Sequence, residues 1–371
     1  MSTFQKFIQY YKPYKKVFIF DLICAAFISL VDLAYPQILR SLTKTLFLKD
    51  ASTILKTLPM IGGILFICYI FQAFCKYYIS CQGHIMGAQM ERDMRRKLFD
   101  HYENLSFSYY DQHNTGQMMS RLVSDLFDIS EAAHHGPENL FISLVKIVGS
   151  FIFLFIIQWK LAIILLVIVL LMIFFSAKQN RRMQATFLDN RRKIGDINAS
   201  LQDSLAGIRI VQSFANEDIE REKFRLGNEA FLDSKRDNYH AMGSFQSGNT
   251  FFQGMMYLVT LLAGGYFIAL GQMSAADLAM YALYIGIFIS PIQILVELTE
   301  MIQKGMSGFI RYQAIIDIEP EITDCVDAVD MKHPDGDICY HDVSFSYEDN
   351  EIVLNHIDFT IKSGKSVALV G

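Results

Sequence analysis

The chain has 371 residues, 52% of them apolar and 19% charged, with a formal net charge of −5 and a pI near 6.0. Soluble domains carry about 45–50% apolar and about 25% charged residues, so this balance points to a membrane protein. The acidic charge argues against a nucleic-acid partner.

The first 16 residues are basic and aromatic, and the apolar run behind them reaches Pro36 without a small-residue cleavage site, unlike a signal peptide. A bilayer core about 30 Å thick takes about 20 mostly apolar residues per helix. Six segments meet that need: 17–35, 57–79, 139–158, 160–177, 250–271 and 278–299. Only Gln158, Trp159 and Lys160 join the third to the fourth, which predicts a hairpin, and a short polar link from Gly271 to Asp277 joins the fifth to the sixth.

Basic residues orient the spans. Lys6, Lys12, Lys15 and Lys16 precede the first, Arg92, Arg95, Arg96 and Lys97 follow the second, and Lys178, Arg181, Arg182, Arg191, Arg192 and Lys193 follow the fourth. Nothing basic lies between Arg236 and Lys304. Both termini and two large loops are therefore expected in the cytoplasm, although Arg40, Lys44, Lys49 and Lys56 soften the asymmetry. No proline interrupts 60–136 or 138–290, so the helices can run far past the membrane. One helix over 54–106 would be roughly 80 Å long, more than twice the bilayer core. Mixed charges such as Glu91, Arg92, Asp93 and Arg95 suit a solvated stalk.

The pattern changes after Ile318. Glu319, Pro320 and Glu321 end the last long helix, and an acidic linker follows. The run ICYHDVSFSY at 338–347 reads as a strand, as does the alternation of Ile357, Phe359 and Ile361 with polar neighbours. The run 366–370 reads as a short buried strand. The expected division is a transmembrane domain at 1–319, a linker at 320–336 and the start of an α/β domain at 337–371. Gly364-Lys365-Ser366 mimics the end of a phosphate-binding loop, but Phe359 stands where that motif needs its first glycine. A phosphate loop also follows its strand, whereas these residues precede one. They are expected to be a turn. The cysteines at 24, 68, 75, 81, 325 and 339 form no CxxC pair and are read as reduced, and no metal ligand is assigned.

In this layout the chain resembles the bacterial exporter branch of the ATP-binding cassette (ABC) transporters, in particular half-transporters of the multidrug-exporter and lipid-flippase kind. The likeness runs along the whole chain. FSYYDQHNTGQMMSRLVSDL in the first inner loop is similar to the family pattern at Thr115, Gly116, Ser120, Arg121, Leu122 and Asp125. GIRIVQSFANEDIEREKF in the second resembles it at Gly207, Val211, Phe214, Glu217 and Phe224. VSFSY and VLNHIDFTIKSGKSVALVG resemble the opening of the family's nucleotide-binding domain.

The resemblance implies ATP-driven export by alternating access, with ATP and Mg²⁺ held by residues beyond Gly371. It implies coupling helices near Thr115–Arg121 and around Ser213, Phe214 and Glu217. Tyr347 would stack on adenine, and Gly371 would open the phosphate loop. It further implies a partner half-transporter, identical or different, in a bacterial cytoplasmic membrane. The cargo would be a hydrophobic small molecule, a lipid or a peptide. The whole protein would hydrolyse ATP. Residues 1–371 alone, with no catalytic residue, should not.

Ionisable groups at membrane depth usually face the interior of a bundle. Asp21, Lys146, Glu297 and Glu300 lie near span ends, where surface or snorkelling positions are expected. Asp32, four residues before Pro36, is the candidate for the transport pathway. A competing reading is a nucleotide-regulated channel or membrane subunit without hydrolysis. A glycine-rich loop with its lysine after Gly371 would separate the two.

Overall fold

The computed structural model describes residues 3–346 and 352–368. Contacts divide the chain into two compact units, Met1–Glu319 and Pro320–Gly371.

The described part of the first unit is helical apart from short turns. A short helix, α1 (Thr3–Gln9), leads through a 3₁₀ turn at Lys12–Tyr14 into α2 (Lys15–Ser41). The next helix, α3 (Ala51–Tyr78), starts on Asp50, whose carboxylate accepts from the Thr53 amide at 3.0 Å. Hydrogen bonds from Ser52 and Thr53 hold that carboxyl at about 2, below its ordinary range. A π-turn at Ile79–Gly83 carries α3 into α4 (His84–Glu103) without loss of helical direction. That makes a helical run of 53 residues, matching the long second helix read from the sequence. Two short helices follow, α5 (Phe107–Gln112) and α6 (Thr115–Ser120), then a π-turn at Arg121–Asp125. Next come α7 (Leu126–Ala206), α8 (Ile208–Ser213), α9 (Glu217–Ala269) and α10 (Ala275–Ile316).

Among the described residues, five helical runs are long and apolar enough to cross a membrane. One of them crosses twice. Gln158 in α7 has φ −153° and ψ 94°, an extended conformation inside an otherwise helical run. Neighbours show that the chain doubles back there. Along the first half of α7, Phe288 packs on Phe151 at 5.2 Å and Gly308 lies against Asp125, so α10 runs antiparallel to it. Along the second half, Asn180 reaches the Val296 carbonyl at 3.4 Å and Gln184 reaches Glu300 at 3.3 Å, so α10 runs beside it in the same direction. This is the hairpin expected from Gln158, Trp159 and Lys160.

A break in a helix leaves carbonyls without amide partners, and lipid offers none. The buried Tyr281 hydroxyl stands 2.7 Å from the carbonyls of both Leu154 and Gln158 and meets that need. The other tight reversal has its own fixtures. Gly271 takes φ +69°, and Ser274 and Asp277 form a reciprocal capping box at the start of α10. Asp277 also binds Arg40 at 2.5 Å and Lys44 at 2.6 Å, tying this turn to the end of α2. The main core joins both halves of α7 to α9 and α10 through residues such as Leu165, Met256, Tyr284 and Phe288.

In the second unit, β1 (Ile338–Ser346) and β2 (Ile352–Ile361) pair antiparallel, with the rings of Tyr340 and Phe359 stacked at 4.5 Å. Ser363 and Gly364, the latter at φ +72°, make a turn closed by the Lys365 amide on the Lys362 carbonyl. The expected strand at 366–370 is not formed over its described part, 366–368. An apolar run becomes a strand only when another strand pairs along it, and neither described strand pairs with this one.

Replacing Tyr281 with Phe keeps the ring and removes the hydroxyl. The one proton shared between the Leu154 and Gln158 carbonyls is then lost, at an expected cost of about 1–3 kcal/mol. Thermal unfolding in detergent should show a correspondingly lower midpoint.

Candidate functional site

The residues that the sequence singles out fall into three groups. The first lies on the loop between α4 and α7. Asn114 caps α6 by accepting from the Gly116 amide at 2.7 Å, which sets Thr115 and Gly116 in the first helical turn. Arg121 reaches the Tyr109 hydroxyl at 3.5 Å, and Tyr109 stacks on His113 at 4.0 Å. Asp125 is buried and receives a two-pronged contact from Arg311, Nε at 2.7 Å and Nη2 at 2.6 Å. Such bidentate pairs fix orientation as well as distance.

Small residues let α10 approach this loop closely. A Cβ on Gly308 would lie 3.1 Å from the Asp125 carbonyl, and one on Gly305 would meet the Ala132 Cβ at 2.3 Å. Arg95 adds a hydrogen bond from α4 to the Leu122 carbonyl at 2.9 Å. Beneath it, Met94, Leu98, Tyr102, Leu126, Phe309 and Tyr312 form a second core. The N-terminal helix joins that core through Phe7 on Phe309 and through Lys6, which binds Asp317 at 2.9 Å. Hydrogen bonds from Lys6 and Gln313 hold the Asp317 carboxyl below its ordinary range.

The second group is the tip between α8 and α9. Ser213 turns its hydroxyl back onto the Arg209 carbonyl at 2.6 Å. Ala215 adopts φ +51°, an uncommon conformation for a residue with a Cβ, and reverses the chain in one step. The Asn216 amide closes the turn on the Val211 carbonyl at 3.0 Å. Glu217 opens α9 with Asp218 and Glu220 in its first turn, where acids suit the helix dipole. Phe214 is left 72% exposed at the tip, an apolar ring presented to solvent. On the first loop Phe107 is 85% exposed in the same way.

The third group lies among the spans. Asp32 binds Lys146 Nζ at 2.6 Å and accepts from Gln72 at 2.8 Å. Three helices, α2, α3 and α7, thus share one polar junction. Lys146 is therefore a partner of Asp32, not the snorkelling group that its place near a span end suggested. Asp21 departs further from expectation. It is only 1% exposed, enclosed near Gly83 and His134 by the packing of α2 against the π-turn. Glu297 is exposed, and Glu300 is partly exposed and paired with Lys304, as expected of groups at a span end.

Tyr347 and Gly371 lie outside the described residues. Gly364-Lys365-Ser366 makes an ordinary turn, and no phosphate cradle is assembled among the described residues of the second unit. All six cysteines are free thiols. Sequence reasoning did not find Arg311 as the partner of Asp125, nor the strained Ala215, nor the gathering of His84, His134 and His135. The adjacent histidines at 134 and 135 were the visible signal for the last.

The family described as the ABC transporter transmembrane region matches residues 18–292. An uncharacterized ABC transporter ATP-binding protein of Bacillus subtilis, YwjA, is 36% identical over 368 residues, covering 99% of this chain and 63% of that protein. An ATP-dependent lipid A-core flippase of Syntrophus aciditrophicus is 24% identical over 371 residues, covering 100% of this chain and 61% of the relative. A putative multidrug export ATP-binding/permease protein of B. subtilis, YgaD, is 25% identical, again over 100% of this chain and 65% of its own length. The chain thus spans less than two thirds of the length of these relatives.

The contact between Asp125 and Arg311 can be measured directly. A double-mutant cycle with Asp125→Ala and Arg311→Ala should give a coupling of about 1–2 kcal/mol, tempered because the Arg311 side chain is half exposed. Gly305→Ala should destabilise the protein, because its methyl group would collide with Ala132. Gly254→Ala, where the Cβ meets nothing within 4 Å, should not.

Proposed function

Because this chain belongs to the ABC transporter transmembrane-region family, we propose that it is the membrane half of an ATP-driven exporter of hydrophobic or amphipathic compounds. The observation that carries this reading is the pair of projecting tips, Thr115–Arg121 and Ser213–Glu217, mounted on helices that continue directly into the spans. An exposed aromatic at the end of a rigid lever is suited to seat in a groove of a nucleotide-binding domain. Motion of that domain then becomes motion of the helix behind it. Asp125, locked to Arg311, transfers the push from the first tip to α10.

Under this reading residues 1–319 form the transmembrane domain, 320–336 the linker and 337–371 the opening of the nucleotide-binding domain. Tyr347 would offer its ring to adenine, and Gly371 would start the phosphate loop. When bound, ATP with Mg²⁺ supplies the free energy for the cycle. Two half-transporters, alike or different, pair in a bacterial cytoplasmic membrane with both termini inside. The Asp32–Lys146–Gln72 junction forms a polar station on the pathway, and the apolar spans accept the greasy part of the cargo. The names of two relatives, a lipid A-core flippase and a putative multidrug exporter, support an amphipathic cargo of that kind.

Transport tests this reading. In proteoliposomes, the protein carrying a complete nucleotide-binding domain should move a fluorescent amphiphile when given ATP and not when given a non-hydrolysable analogue. Phe214→Ala should leave nucleotide binding intact and lower transport by roughly tenfold, as loss of coupling between two sites does. Equal transport without hydrolysis would point instead to a regulated channel. For orientation, a cysteine at Ser274 should react with an impermeant reagent on intact cells, and one at Ser213 should not.

A further inference from the structure

Three imidazoles converge where α4 meets α7, at the end of the spans that carries the two large loops. His84 is the first residue of α4, and His134 and His135 lie two turns into α7. Each offers a ring nitrogen, and the three donor atoms lie within 4.8 Å of one another. Nε2 of His134 is 3.2 Å from Nδ1 of His84 and 3.8 Å from Oε2 of Glu138. Nδ1 of His135 is 4.0 Å from that same oxygen. Bonds of 2.0–2.1 Å in a tetrahedron place neighbouring ligands about 3.3 Å apart. Three nitrogens are therefore already gathered as such a site needs, and the Glu138 carboxylate, 3.8 and 4.0 Å from two of them, has to move in to supply the fourth corner.

A second observation comes from the far side of His134. This residue is 3% exposed and Asp21 is 1% exposed, yet His134 Nδ1 and Asp21 Oδ1 both lack a hydrogen-bond partner. Both atoms stand 3.0 Å from where a Cβ on Gly83 would lie, so the missing side chain leaves them facing one space. Buried polar atoms without partners are rare and call for a reason. A metal on Nε2 of His134 provides one. It takes the lone pair there, fixes the proton on Nδ1 and turns that N–H towards Asp21. A carboxylate behind a metal-bound histidine is the usual supporting arrangement. A plain histidine-to-histidine hydrogen bond explains the 3.2 Å contact but leaves both buried atoms unmet.

We propose that His84, His134, His135 and Glu138 form a binding site for a divalent transition metal, Zn²⁺ by donor preference, with Asp21 orienting His134. Imidazole ligands favour Zn²⁺ and its neighbours over Mg²⁺ or Ca²⁺. Glu131, 3.7 Å from Nε2 of His135, adds negative charge on the outer side. The ammonium of Lys76 also acts on Asp21, His135 and Glu138, so a metal here would compete with a resident cation. The metal would stitch α4 to α7 beside the buried Asp21 of α2. That matters most for the second span, because none of its most apolar stretch is buried within the chain.

The test is a titration with Co²⁺, a coloured stand-in for Zn²⁺. Protein purified without a polyhistidine tag and stripped with a chelator should bind one Co²⁺ per chain. The visible bands should be those of a tetrahedral site, bleached by Zn²⁺ and untouched by excess Mg²⁺. The double variant His84→Asn/His135→Asn avoids the buried His134, and its fold is checked by circular dichroism and elution volume. It should lose the signal. Asp21→Asn should keep the bands and weaken the affinity by about 10–100-fold. Zn²⁺ should raise the unfolding midpoint of the wild type and not of the double variant. Absence of a one-to-one cobalt complex in the wild type would overturn the proposal, as would unchanged binding by a correctly folded double variant.

Discussion

Lipid offers no partner to a peptide carbonyl, and that constraint decides where this chain can stop being helical. The reversal inside α7 is possible because Tyr281 brings a hydroxyl to the carbonyls that Gln158 leaves open. The reversal before α10 is possible because Ser274 and Asp277 satisfy each other, and Asp277 also gathers Arg40 and Lys44. Along the rest of the spans the chain stays helical even where it shifts register, and its other breaks lie in the loops between them. The turns at Ile79–Gly83 and Arg121–Asp125 widen the helix without opening it. Pro36, Pro59, Pro137 and Pro291 are likewise held inside helices.

Stiffness along the helices has a counterpart at their ends. A lever is useful only if it does not bend, and helices of 53 and 42 residues, α9 and α10, meet that demand. Compliance is confined to tips a few residues long. There the backbone accepts a left-handed alanine at position 215 and leaves Phe214 in water. Neither serves the stability of an isolated chain. In the exporter proposed above, both belong to a surface that meets the nucleotide-binding domain.

Much of this was legible in the sequence. Apolar runs give the spans because their length must match the bilayer, and the hairpin at Gln158 shows because only three residues separate two such runs. The turn at Ser363 and Gly364 could be told from a phosphate loop by the place of Phe359 alone. What the sequence hid was pairing over distance. Asp125 and Arg311 lie 186 positions apart, and nothing local marks them as partners. Asp21 sits near a span end, where depth suggests solvent or headgroups. Its burial comes from the bare backbone of Gly83, a property of the packed helices and not of either segment. The expected strand at 366–370 is not formed over 366–368 for a related reason, since an apolar run becomes a strand only when another strand pairs along it.

The loose packing of α3 has a consequence of its own. Where neighbours in a core fix the shape of each side chain, the second span answers mainly to what lies outside this chain, lipid or the partner half of the proposed dimer. Apart from Phe71, whose ring meets Phe27 at 4.9 Å, the exposed residues among 60–74 can exchange Leu, Ile, Phe and Val with little effect on the packing of this chain. Family members should therefore differ freely along this helix while agreeing on its greasiness. Gln72 is the exception, tied to Asp32 and out of place among its neighbours, and there drift should stop.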